Sequence, residues 1–169
     1  GLRFEVNENT LIPRPETEEL VEWILSSSII HHPSSINILD IGTGTGCIPI
    51  SVKTNLPQAN VSAIDVSEKA LEVAKRNAAS NKVEINFIQT NILEVEDLSQ
   101  LPTPNSQLPT SFDIIVSNPP YVRNLEKQEI KKNVLDYEPH LALFVEDTDA
   151  LLFYRKIAQL ALKNLSPNG

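Results

Sequence analysis

A single cysteine, Cys47, leaves no partner for a disulfide within the 169 residues. That excludes a disulfide-stapled mini-fold and favours a reducing, cytoplasmic setting. Methionine is absent, and no apolar run approaches the roughly 20 residues of a membrane-spanning helix. The N-terminal stretch has no signal-peptide core, so no membrane partner is expected. Cations are scarce as well: 14 Lys and Arg stand against 22 Asp and Glu, a net charge of −8. A surface of that sign repels phosphate backbones and disfavours general nucleic-acid binding, whereas a cationic cofactor or a basic protein is welcomed. The three histidines, His31, His32 and His140, lack metal-ligand spacing, and the first two sit in a Ser/Pro stretch, so no metal site is expected. Glycine is rare too. Of the five, Gly42, Gly44 and Gly46 fall together.

What remains, 41% hydrophobic and 21% charged, is the composition of an ordinary globular domain with a substantial core. The start at Gly1 does not resemble a native translation start, and Leu165-Ser166-Pro167-Asn168-Gly169 reads as a turn introducing another strand. The expectation is a piece of a longer protein.

Phe4 to Val6 and Thr10 to Ile12 flank Asn7-Glu8-Asn9, which suggests a short hairpin or an extended lead-in. Pro13-Arg14-Pro15 stops it, and a helix follows from Glu16 to Ser27 with acids in its first turn. Ser26 to Ser35 reads as a linker. Strands are predicted over Ile36 to Ile41, Val61 to Ile64, Ile85 to Ile88 and Phe112 to Ser117. Helices are predicted over Cys47 to Thr54, Glu68 to Asn81 with Ser67 as cap, Glu126 to Leu135, and Asp149 to Asn164. Glu94 to Ser111 is rich in Pro, Thr and Ser and resembles a surface insertion. Strands alternating with helices predict a parallel, right-handed α/β sheet.

Two motifs carry chemistry. The first is Gly42-Thr43-Gly44-Thr45-Gly46, between a strand and a helix, where backbone can turn tightly and approach a ligand. Asp65 closes the next strand about 20 residues on, placed to accept ribose hydroxyls. A dinucleotide fingerprint would need glycine at position 47 or 49, which hold Cys47 and Pro49, and the Walker A lysine is missing as well. Asp40, just before the loop, puts a carboxylate where a ligand ammonium could sit; S-adenosylmethionine, a net cation, suits such a rim. Turn capping by Asp40 and Asp65 is the competing reading. Arg14 and Glu16 to Glu18 either line the same site or serve only as helix-start chemistry. Cys47, at a helix start where a thiol pKa could fall, reads better as a small packing residue.

The second motif is Asn118-Pro119-Pro120-Tyr121, delivered at the end of the fourth strand, the rim where open α/β sheets bind ligands. Two prolines remove two N–H donors and leave carbonyls free to accept, which suits gripping an NH2 group. A proline-stopped strand end would read the same way.

Asp40 to Gly46, Asp65 and Asn118-Pro119-Pro120-Tyr121 together resemble a class I S-adenosylmethionine-dependent methyltransferase. Leu11-Ile12-Pro13-Arg14-Pro15-Glu16-Thr17-Glu18, Tyr137-Glu138-Pro139 and Leu151-Leu152-Phe153-Tyr154-Arg155 narrow the resemblance to the release-factor glutamine methyltransferase family. The resemblance implies a Rossmann-like fold with strand order 3-2-1-4 flanked by helices, the C-terminal strands and an N-terminal helical domain lying outside this chain. Residues 1–35 would form a lead-in segment and helix packed on the catalytic domain, and residues 36–169 the S-adenosylmethionine-binding domain. Asp40 and Gly42, Thr43, Gly44, Thr45 and Gly46 would hold the methionine end of the cofactor, and Asp65 its ribose. Asn91 and Ile92 would lie beside the adenine, with Asn91 in place of the family's usual Asp. Asn118 and the Pro119 carbonyl would grip the substrate amide, with Pro120 shaping the turn and Tyr121 packing beside it. The implied substrate is the Gly-Gly-Gln glutamine of a peptide chain release factor, with nucleic acid met only indirectly through the ribosome-associated substrate. Amino-group methylation of adenine or guanine on DNA or RNA, and a non-catalytic binding module, are the alternatives.

Overall fold

Short apolar runs bounded by polar turns build a four-stranded parallel sheet in order β3-β2-β1-β4. Its strands are β1 (Asn37–Ile41), β2 (Asn60–Asp65), β3 (Asn86–Gln89) and β4 (Ile114–Ser117). The computed structural model describes residues 1–8, 10, 12–31, 35–101, 108–118, 122–123, 144–145 and 151–169. Helices α1 (Pro15–Ser26), α2 (Cys47–Asn55), α3 (Glu68–Ser80) and α4 (Leu152–Asn164) surround the sheet. Val122–Arg123 and Phe144–Val145 form a separate parallel pair, β5 and β6. The predicted helix over Glu126 to Leu135, the Tyr137-Glu138-Pro139 segment and His140 lie outside the described residues.

Alternation along each strand divides the core in two, as a pleat with period two requires. Leu39, Ile41, Ile64 and Ile88 pack with Leu98, Phe112 and Leu160 on one face. Ile38, Val61 and Val116 pack with Ile24, Ile48 and Val52 on the other. Ser67 caps α3 as expected, its hydroxyl accepting from the Ala70 N–H at 3.2 Å.

Three readings of the sequence are corrected. The hairpin reading of the N-terminus gives way to its alternative, a lead-in segment: residues 1–8 contain no strand, run over α3 and turn at Asn7, whose carbonyl accepts from the Thr10 N–H at 3.2 Å. The stretch after α1 is more than a linker: it holds a 3₁₀ turn, Ser28–His31, and Ile29 and Ile30 pack against the core. Leu98 and Leu108, in the supposed surface insertion, are buried. Burying one such side chain is worth roughly 2 kcal/mol, which suffices to pin a segment with little regular hydrogen bonding.

Asn164, at the end of α4, gathers two distant segments. Its side-chain oxygen accepts from the Leu98 N–H at 3.1 Å, its amide donates to Asp97 at 3.0 Å, and its carbonyl accepts from the Phe112 N–H at 2.7 Å.

Candidate active site

The chain leaves β1 at Ile41 and cannot continue straight, because α2 begins at Cys47 alongside the sheet. Gly42, Gly44 and Gly46 all adopt positive φ, between 55° and 78°, and wind the loop back over the strand ends. The Gly42 and Thr43 N–H groups donate to the Ile64 carbonyl at 2.8 and 3.0 Å. The Gly44 N–H donates to Asp65 Oδ2 and the Ser67 N–H to Asp65 Oδ1, both at 2.9 Å. Asp65 therefore braces the glycine loop and the entrance to α3 at once, and it also lines the cavity. Turn capping and a place on the cavity lining therefore coexist in this residue.

That cavity encloses about 400 Å³. It is lined by the loop from Gly42 to Thr45 with Asp65, and by Asn91 and Ile92. Asn91 caps its own 3₁₀ turn: its side-chain oxygen accepts from the Leu93 N–H at 3.1 Å. Glu8, Thr10, Ile12 and Arg14 line it as well. Of the residues around the start of α1, Arg14 and Thr17 line the cavity and Glu16 and Glu18 do not. Asn118, exposed at the end of β4, completes the rim. The Ser117 hydroxyl donates to the Ile41 carbonyl at 2.6 Å, which ties this rim to the start of the loop. Pro119, Pro120 and Tyr121 lie outside the described residues.

One sequence-based expectation needs correction. Asp40 is absent from the cavity wall and lies fully buried, flanked in register by Ala63 and Val116. Both of its oxygens and the Thr43 hydroxyl oxygen lack a formed hydrogen bond. Burial raises the Asp40 pKa to about 7; the nearby Thr43 hydroxyl opposes the rise and the Asp65 charge adds to it. Cys47 lines the cavity, and burial raises its thiol pKa with hydrogen bonding from Thr45 in opposition, which agrees with the packing reading over the activated-thiol one. Gly46, by contrast with its two neighbours, is needed for space as well as conformation. A Cβ there would meet Ala74 Cβ and Ile50 Cδ1 at 3.1 Å, whereas at Gly42 and Gly44 it would meet nothing within 4 Å.

The sequence reading missed Asn77, which is 2% exposed on the inner face of α3 and donates to the Thr45 carbonyl at 2.9 Å. The available signal was an amide between Ala74 and Ala78 on an otherwise apolar helix face.

Among the described residues no group of three or more His, Cys, Asp or Glu is placed to hold a metal, and no helix is long and apolar enough to cross a membrane. Residues 22–140 match the family described as the methyltransferase small domain. The whole chain is 65% identical to the release factor glutamine methyltransferase of Flavobacterium psychrophilum, of which it covers 56%. It is 46% identical to the protein of the same description from Bacteroides thetaiotaomicron, again covering 56%. The chain thus spans about half the length of the curated relatives it matches. Among solved structures, the hMettl16 catalytic domain in complex with a MAT2A 3'UTR hairpin aligns over 95% of this chain and 56% of its own, with a TM-score of 0.66 at 20% identity. An S-adenosylmethionine-dependent methyltransferase from Agrobacterium tumefaciens aligns over 93% of this chain and 43% of its own, with a TM-score of 0.59 at 18% identity. At those identities the likeness is one of fold.

Proposed function

Since the chain belongs to the methyltransferase small-domain family, we propose that it is the cofactor-binding part of a cytoplasmic enzyme that methylates a glutamine side-chain amide in a peptide chain release factor. One observation carries this reading: a single cavity is lined by the glycine loop, Asp65 and Asn118 together. The 65% identity to a release factor glutamine methyltransferase supports the choice of glutamine over a nucleobase.

The residues fit S-adenosylmethionine. Gly42 and Gly44 present bare backbone to open space, and Asp65 and Glu8 give the cavity an acidic lining suited to a net cation. When bound, the cofactor supplies an electrophilic methyl group on a sulfonium. Asn91 would accept from the adenine amino group; it lines the cavity, and its side-chain oxygen keeps one lone pair beyond the bond from Leu93. Asn118 would accept from the glutamine amide N–H, turning the nitrogen toward the methyl group and stabilising the positive charge that develops there. The Pro119 carbonyl would take the second N–H. Orientation of this kind lowers a barrier by roughly 7–11 kcal/mol in favourable cases. The spare amide proton would leave to water after transfer, so no general base is required.

The test uses the full-length protein with methyl-labelled S-adenosylmethionine, offered a release factor and, separately, DNA and ribosomal RNA. Label should appear on the release factor and vanish when its Gly-Gly-Gln glutamine is replaced. Label on nucleic acid alone would overturn the reading. Asn118→Ala should lose at least about 100-fold in turnover while retaining cofactor affinity, because it removes a contact made to the reacting amide. Turnover like the wild type would defeat the amide grip.

A further inference from the structure

Asn77 lies outside the cavity wall, yet it uses every hydrogen-bonding group it has. Its side-chain oxygen accepts from the Glu5 N–H at 2.6 Å. Its amide donates one proton to the Glu5 carbonyl at 3.0 Å and the other to the Thr45 carbonyl at 2.9 Å. One turn further along α3, Asn81 repeats the first half of this pattern with Arg3, accepting from its N–H at 3.3 Å and donating to its carbonyl at 2.8 Å. The spacing explains the match. Four helical residues rise about 6 Å and two extended residues span about 6.5 Å, so amides at i and i+4 meet alternate residues of an antiparallel segment.

We infer that Asn77 is a positioning residue that makes the docking of the lead-in segment and the set of the glycine loop a single event. The inference rests on the reading that this loop holds S-adenosylmethionine. Of the two asparagines, Asn77 alone also reaches the loop. Downstream of Glu5, the Asn7–Thr10 turn carries Glu8 and Thr10 into the cavity wall. Asn77 therefore ties the glycine loop to the segment that carries Glu8 and Thr10 and fixes one relative to the other. Gly46 presses the loop onto α3, which keeps the Thr45 carbonyl within reach. The Arg76–Glu5 ion pair, at 2.9 Å and half exposed, adds little to this restraint.

The experiment compares full-length wild type, Asn77→Ala, Asn77→Asp and Asn81→Ala for S-adenosylmethionine affinity by calorimetry, with amide hydrogen exchange over residues 1–10. Asn77→Ala should weaken the cofactor about tenfold, raise KM for it with kcat nearly unchanged, and speed exchange at Glu5. Asn77→Asp should be no better, because it turns a carboxylate onto two carbonyls. Asn81→Ala should speed exchange at Arg3 while changing affinity less than about twofold, since it holds the segment without touching the loop. In wild type, added cofactor should slow exchange at Glu5, which lies outside the cavity wall; this reads the coupling even if an Asn77 variant fails to fold. Wild-type affinity in Asn77→Ala, or a Glu5 amide indifferent to bound cofactor, would overturn the inference. A wild-type protein that binds no S-adenosylmethionine would instead overturn the cofactor reading.

Discussion

Asp40 and Asp65 are the same residue on neighbouring parallel strands, and their surroundings are opposite. Asp40 is enclosed between β2 and β4, paired in register with Ala63 and Val116, and its oxygens find no donor. Asp65 lies two positions beyond Ala63, past the end of β1, and there both oxygens accept backbone N–H bonds while the side chain still faces the cavity. A shift of two residues along a strand separates a costly buried acid from a brace that stabilises the loop. Depth in the sheet decides between them, because neither residue type nor distance from the glycines differs enough to do so.

The comparison breaks first at Asp40. The folded state holds its carboxyl pKa near 7 against 3.8 for a free carboxyl, so it keeps a proton that the unfolded chain gives up. The contribution of this group to stability should therefore be greatest below about pH 4, fall as pH rises toward 7, and level off above it, a loss on the order of 4 kcal/mol. Asp40→Asn stays neutral throughout, so its melting temperature should fall less between pH 5 and pH 8 than that of the wild type. Parallel pH profiles for the two proteins would show that Asp40 is ionised and accommodated in the fold.

Asp65 comes next. Asp65→Ala strips acceptors from Gly44 and Ser67 and should weaken S-adenosylmethionine binding on the order of 100-fold, about 2.7 kcal/mol, measured by calorimetry. Affinity unchanged in Asp65→Ala would mean the loop keeps its shape without the brace. The smallest effect belongs to the glycines. Gly46→Ala should cost roughly 1–3 kcal/mol of stability, from positive φ and the contact with Ala74. Gly42→Ala meets no protein atom within 4 Å, so its stability loss should be smaller and its effect should show mainly in cofactor affinity. Equal melting temperatures for the two variants would remove the distinction between a glycine needed for packing and one needed for ligand approach.

Much of this was legible in the sequence, for identifiable reasons. β1, β2 and β4 announced themselves as apolar runs, Ser67 as a cap, and the strand order followed from the family resemblance. Where the glycine loop, Asp65, Asn91 and Asn118 would converge was legible for the same reason: each follows the C-terminal end of a strand. What escaped were residues whose surroundings are set by distant segments. Leu98 and Leu108 carry no periodicity, and only contact with the core face covered by α4 makes them interior. Asp40 reads identically whether β4 closes over it or leaves it open, and Asn77 reads as a weak helix former until Glu5 and Thr45 are brought to it.

Asn164 has a consequence for the order in which the molecule comes apart. The bonds that converge on it link residues 66 and 67 positions apart to the end of α4, so they form only after long loops have closed. Asp97, whose carboxyl is held down to about 2 by hydrogen bonds from Ser99 and Asn164, belongs to the same knot. If that knot opens, α4, the 97–100 turn and the Phe112 end of β4 lose their shared anchor together. They should behave as one cooperative unit in native-state exchange, while the β1–β2 centre stays protected. Protease cutting first in this unit would leave the glycine loop and its brace standing.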